Sequence, residues 1–260
     1  VSPAPLSAAE ATEEAISLYA DAANFQTSGA TELAIDSWKK FLKQYPDDDL
    51  ASKAAHYLGV CYMQKESPDY VAAAKAFGKA LEDSKYELRE ESLANRGWCL
   101  YASAGDGPNR DEAKLKQTLE TFATLRKDNP KSDYIDRAFF YSGEAAYGLG
   151  ERKKAIALYD SFLSLPNAKD SPLRCDAIYA RGIALEELKQ IKPAIASYKR
   201  LLADCADNDL AVDVHLRLGN LSITERDFAA AARSFEQAIA GSDDAADKSY
   251  AIYRQAYALV

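Results

Sequence analysis

Small residues recur at a fixed spacing along this chain, and that recurrence limits its fold more than any other feature. Gly59, Gly97, Gly143, Gly182 and Gly219 sit inside helix-patterned segments, and Ala22 and Ala256 hold the same place in the first and last copies. The separations are 37, 38, 46, 39, 37 and 37 residues. A self-similar period in this range builds stacked supersecondary units in place of one globular core. The chain of 260 residues is therefore read as a single array.

A second register follows the first. Ala34, Ala73, Thr118, Ala155, Ala194 and Ala231 begin the core of a second helix in each copy. Four residues on, every copy carries an aromatic: Trp38, Phe77, Phe122, Tyr159, Tyr198 and Phe235. Three further along come Phe41, Ala80, Leu125, Phe162, Leu201 and Ala238. Steps of four and three put all of these on one helical face, so each repeat is a pair of amphipathic helices. The glycine or alanine of the first helix is expected to admit the alanine of the second, with the aromatic filling space towards the next repeat.

These residues resemble the tetratricopeptide repeat. Leu58-Gly59 with Tyr62, Ala73, Phe77 and Ala80 is one copy, and Leu218-Gly219 with Ala231, Phe235 and Ala238 is another. Pro46, Pro130 and Pro166 stand where a repeat closes. The resemblance implies an all-α fold, a right-handed superhelix or solenoid of six repeats plus a C-terminal half-repeat. The repeats run at about 7–46, 47–84, 85–130, 131–169, 170–207 and 208–245, with the half-repeat at 246–260 and a tether at 1–6. The copies are longer than usual because the first helix begins about one turn early, as after Tyr45-Pro46 and after Asn129-Pro130. In this they are similar to repeats of bacterial cell-envelope proteins, including a Tol-Pal-associated periplasmic coordinator and a lipoprotein of outer-membrane assembly. That likeness makes a periplasmic or envelope location the expectation, with the cytoplasm left open.

Local signals fit helices. Ser7 and Glu10 form a capping box, while Ser67-Pro68 and Ser171-Pro172 offer a cap before a proline at the first helical position. The third repeat carries a turn-forming insertion, Gly105-Asp106-Gly107-Pro108-Asn109, with its second helix restarting at about Asp111.

No set of residues points to catalysis, a metal or a cofactor. His56 and His215 are the only histidines and lie four repeats apart without neighbours at metal-ligand spacing. The acidic runs Asp47-Asp48-Asp49 and Asp243-Asp244 lack the spacing of a calcium loop and fit helix starts. A formal charge of -8 gives no basic excess for a phosphate backbone, so nucleic acid is not the expected partner. No stretch approaches the roughly 20 apolar residues of a membrane helix. Cys61 and Cys99 fit as core thiols. Cys175 and Cys205 fall at the same end of one helical hairpin, and two readings stay open: a disulfide, or helix ends that merely lie close.

In tetratricopeptide superhelices the first helices line the concave face, and the places three before, one after and four after the glycine usually point into it. Here those places hold Tyr19, His56, Phe140, Tyr179 and Tyr253, then Trp98 and Tyr257, then Tyr101 and Tyr147. Aromatics give large contact area at low entropic cost, which suits a peptide or extended protein segment. Lys53, Arg137 and Asn220 are too scattered for a clamp on a peptide carboxylate, while Glu144, Glu186 and Glu187 favour a basic segment.

The half-repeat places Ile252, Ala256 and Leu259 on a packing face with no second helix to cover it, which points to a longer protein or to self-association. The expected function is a non-enzymatic scaffold binding a protein or peptide. The alternatives are a docking or regulatory segment of a larger enzyme or signalling protein, and a glycan or peptidoglycan binder using the same aromatics for stacking.

Overall fold

The structure is a computed structural model and describes residues 8–205 and 208–260. The tether at 1–6 and the cap residue Ser7 lie outside the described residues. Thirteen α-helices and one short 3-10 turn, Gly107–Asn109, make up the regular structure, with no strand among the described residues. The chain divides into two compact units, one up to Leu149 and one from Gly150 to Val260, so the division falls within the fourth repeat.

The first unit holds α1 (Ala8–Thr27), α2 (Thr31–Gln44), α3 (Ala51–Met63), α4 (Tyr70–Ala80), α5 (Arg89–Ala102), α6 (Glu112–Asp128) and α7 (Ile135–Gly148). Here α1, α3, α5 and α7 are first helices and α2, α4 and α6 second helices. The second unit holds α8 (Arg152–Leu163), α9 (Arg174–Glu187), α10 (Ile191–Asp204), α11 (Ala211–Thr224), α12 (Phe228–Gly241) and α13 (Ala245–Leu259). In it α9, α11 and α13 are first helices. Within each unit helices pack on their neighbours in sequence, and the first helices α5 and α7 also touch.

The six in-phase aromatics of the second helices are fully buried. Phe77, Phe122, Tyr198 and Phe235 lie on the glycine of their own repeat, and Trp38 and Phe122 also stack on Tyr57 and Tyr141 of the next repeat, the direction expected from the sequence. A Cβ added at Gly59 would come within 2.8 Å of the Phe77 ring, and at Gly182 within 2.5 Å of Tyr198. The missing side chain lets an aromatic ring, larger than the alanine beside it, enter the space between paired helices.

Turn chemistry follows the same register. The residue seven after the small position adopts a left-handed backbone in four repeats: Gly29, Gly150, Lys189 and Arg226. That conformation ends the first helix and turns the chain into the second. Several second helices are then capped by aspartate. Asp69 accepts from the Ala72 amide, Asp111 from Ala113 and Lys114, and Asp227 from Ala230. Asp111 starts α6 as expected, but α4 begins after Asp69, not at Ser67-Pro68, and α9 begins at Arg174 rather than after Ser171. In both cases the prolines sit in the preceding turn, and the Ser171 hydroxyl accepts from the Leu173 amide.

Cys175 in α9 and Cys205 at the end of α10 are joined by a disulfide, with Cα atoms 6.1 Å apart. Cys61 and Cys99 are free, buried thiols, and burial raises their pKa to about 11 and about 12 respectively, so both stay protonated and inert. At the C-terminus α13 packs on α12 through Ala251 and Ala258. The Ile252, Ala256 and Leu259 face is left bare, as expected of a face without a second helix: Ile252 is 55% exposed and Leu259 71%.

Candidate partner-binding surface

The aromatic positions of the first helices divide into three environments. His56 and Phe140 are buried and belong to the packing, which corrects their assignment to an open groove. His56 reaches from α3 to the next first helix, where its Nδ1 bonds the Ser92 hydroxyl at 2.8 Å, and its ring meets Tyr57 and Phe77 edge-on. At His56 and Tyr179 the position three before the glycine thus bridges neighbouring first helices, Tyr179 through Asp213 on α11. Burial, reinforced by the positive charge of Lys53, lowers the His56 pKa from 6.5 to about 4. The Glu91 carboxylate, 3.8 Å from Nε2 and itself partly in water, does not reverse this. His56 is consequently a neutral core group at pH 7.

Tyr19, Trp98, Tyr101, Tyr147 and Tyr179 are half-buried. Tyr19 leans edge-on against Trp38 and Phe41, with ring centroids 4.8 and 5.6 Å away. Trp98 meets Tyr70 edge-on at 4.8 Å. Tyr253 and Tyr257, on α13, are 69% and 58% exposed, and the Arg254 guanidinium lies 5.9 Å from the Tyr257 ring centre.

In the first unit, α5 and α7 bring part of the row together. Trp98 and Tyr101 are three residues apart on α5, as Glu144 and Tyr147 are on α7, so each pair shares a helical face. The Tyr101 hydroxyl donates to Glu144 Oε2 at 3.0 Å and accepts from Arg110 Nη2 at 3.1 Å, while the Arg110 guanidinium lies 5.0 Å from the ring centre. Burial and the nearby Glu144 charge raise the Tyr101 pKa to about 12. Arg110 comes from the segment after the Gly105–Asn109 insertion and also donates to the Gly105 carbonyl. The insertion of the third repeat thus delivers a cation to this face, which sequence spacing alone did not place.

A second polar knot occupies α9, α10 and α11. Tyr179 donates to Asp213 Oδ2 at 2.7 Å, Arg217 bridges Asp213 and Glu186 at 2.6 and 3.1 Å, and Tyr198 donates to Glu186 at 2.8 Å. Glu187 is paired with Arg152. The carboxylates expected to attract a basic segment are therefore already met from within, Glu144 by Tyr101 and Glu186 by Tyr198 and Arg217. No cluster of three or more histidine, cysteine, aspartate or glutamate side chains able to hold a metal occurs among the described residues.

Comparison with known proteins places this geometry in a class. Residues 137–168 and 176–208 match the model of a tetratricopeptide repeat. The fold is similar to the C-terminal part of a tetratricopeptide-repeat-containing protein from Cytophaga hutchinsonii, with TM-score 0.64 and 17% identity over 95% of this chain and 93% of that one. It is also similar to YrrB, described as a tetratricopeptide protein with an unusual peptide-binding site, with TM-score 0.59 and 20% identity over 78% and 93%. A third similar structure is PilW, described as a widely conserved type IV pilus biogenesis factor, with TM-score 0.57 and 15% identity over 92% and 98%. No curated protein matches the sequence. The chain carries tetratricopeptide repeats and has the all-helical fold of tetratricopeptide proteins.

Proposed function

We propose that this chain is a non-enzymatic scaffold that binds a peptide or extended protein segment on the face of its first helices, in the first unit around Trp98, Tyr101 and Tyr147. The observation that carries this reading is the way Tyr101 is held. Its hydroxyl is fixed by Glu144 and Arg110 while the ring stays half-buried, so a rigid aromatic surface is presented with its ordering cost already met. Such rigid, amphipathic anchors are favoured where one protein grips another. Similarity to YrrB, whose description names a peptide-binding site, supports a peptide as ligand.

Two further observations support an envelope location. The Cys175–Cys205 disulfide persists in an oxidising compartment and is rare in a reducing cytosol. One of the similar structures is a pilus biogenesis factor.

Capture from a peptide array followed by titration tests the proposal. Trp98→Ala and Tyr147→Ala should abolish peptide binding while circular dichroism stays unchanged. Retention of binding in both variants, or binding of glycans but no peptide, would overturn it.

A further inference from the structure

Two repeats place an arginine one residue before the glycine of the first helix, Arg181 in the fifth and Arg96 in the third. Register makes their surroundings directly comparable. Arg181 Nη1 donates to the Ser197 hydroxyl on the following second helix, and Arg181 Nε donates at 2.6 Å to Asp160 on the preceding one. Arg96 Nη1 makes the corresponding bond, 3.0 Å to the Thr121 hydroxyl on α6. The position matching Asp160 on α4 is five residues after Ala73, and it is Gly78. Its missing side chain faces the arginine, since a Cβ built there would lie 3.4 Å from Arg96 Nε. That Nε is buried and has no hydrogen-bond partner.

An unmet donor of a charged group is costly to bury, and the fifth repeat shows which group meets it. Arg96 also lines a cleft of about 330 Å³ between α4 and α6, floored by α5. Leu100 and Ala74 give it an apolar floor, and Val71 at its edge is 56% exposed. Lys75 and Lys114 flank Arg96 there. Lys114 is tied to the Ser103 carbonyl and lies 3.7 Å from Asp111 at the rim, while Lys75 makes no ion pair among the described residues. Glu120 on α6 is the other carboxylate close enough to act on Arg96.

We propose that this cleft docks an acidic peptide segment of a partner protein, placing a glutamate or aspartate carboxylate on Arg96 where Asp160 stands beside Arg181, with an apolar neighbour over Leu100 and Val71. The site lies between second helices and is separate from the aromatic face of the first helices, so either can fail without the other.

The probe is a fluorescein-labelled peptide of interspersed leucine and glutamate, compared with its leucine–glutamine counterpart by anisotropy at low and high salt. The glutamate peptide should bind at least about tenfold more tightly than the glutamine one, and salt should weaken it. Gly78→Asp, which supplies the missing carboxylate from within, should cost about tenfold or more, whereas Gly78→Ala, which only narrows the gap, should cost clearly less. Tyr147→Ala should leave this binding intact. Equal binding of the two peptides, no binding of either at millimolar concentration, or undiminished binding by Gly78→Asp would overturn the proposal.

Discussion

The Cζ end of the Phe122 ring points at Gly97, so close that a Cβ on the glycine would sit 2.5 Å from it. Both groups are buried and neither can yield without moving a helix. Gly97→Ala gains about 1 kcal/mol of helix propensity but overpacks the pair at a cost of about 1–3 kcal/mol, for a net loss of up to about 2 kcal/mol. Urea denaturation of Gly97→Ala, Phe122→Leu and the double variant measures it. The double variant should recover part of the loss, and additive losses would show that the two positions are not coupled.

Lys189 and Arg226 hold the left-handed turn that Gly29 and Gly150 hold in other repeats. A side chain there costs about 1–2 kcal/mol, offset in part by the greater freedom of glycine in the unfolded chain. Lys189→Gly and Arg226→Gly should each raise stability by up to about 1 kcal/mol, visible as a higher thermal midpoint. A lowered midpoint would contradict this.

His56 links stability to pH. Its folded-state pKa lies below its ordinary value, so the unfolded chain takes up the proton first. The contribution is fully present above about 6.5 and is lost as pH falls from 6.5 towards 4. The shift corresponds to about 3 kcal/mol at most. Unfolding free energies across that window should decline, and the decline should be flatter in His56→Gln. A slope unchanged by the substitution would assign the effect to other groups.

The Cys175–Cys205 link closes a loop with a sequence separation of 30 residues. In the chain-entropy account such a loop adds about 3–4 kcal/mol by restricting the unfolded chain. Dithiothreitol should lower the thermal midpoint of the wild type and leave Cys175→Ser/Cys205→Ser unaffected. Identical responses of the two proteins would show that the link adds nothing.

The bare stripe of Ile252 and Leu259 on α13 is an apolar face that water covers poorly. We expect concentration-dependent association through it, reduced in Ile252→Glu/Leu259→Glu, as read by sedimentation velocity. Monomeric behaviour of the wild type at all concentrations would exclude this role.

The register of small and aromatic residues was legible because it is local: steps of three, four and about 37 residues specify helices, faces and pairing before any coordinate is known. The burial of Phe77, Phe122 and Phe235 follows from that register, as does the restart of α6 at Asp111. The fate of the residue three before each glycine was not legible. His56 is buried because Ser92, one repeat later, closes over it, and this depends on how neighbouring first helices meet. The same holds for Tyr101, whose partners Arg110 and Glu144 lie on separate segments. Arg96 stands out only once Arg181 has shown what its guanidinium lacks.

One covalent link also changes what a protease can achieve. A cut anywhere between Cys175 and Cys205 leaves the two fragments joined through sulfur, so a nicked chain migrates as an intact one until it is reduced. The turn joining α9 to α10, around Lys189, can therefore be opened without the molecule losing either half.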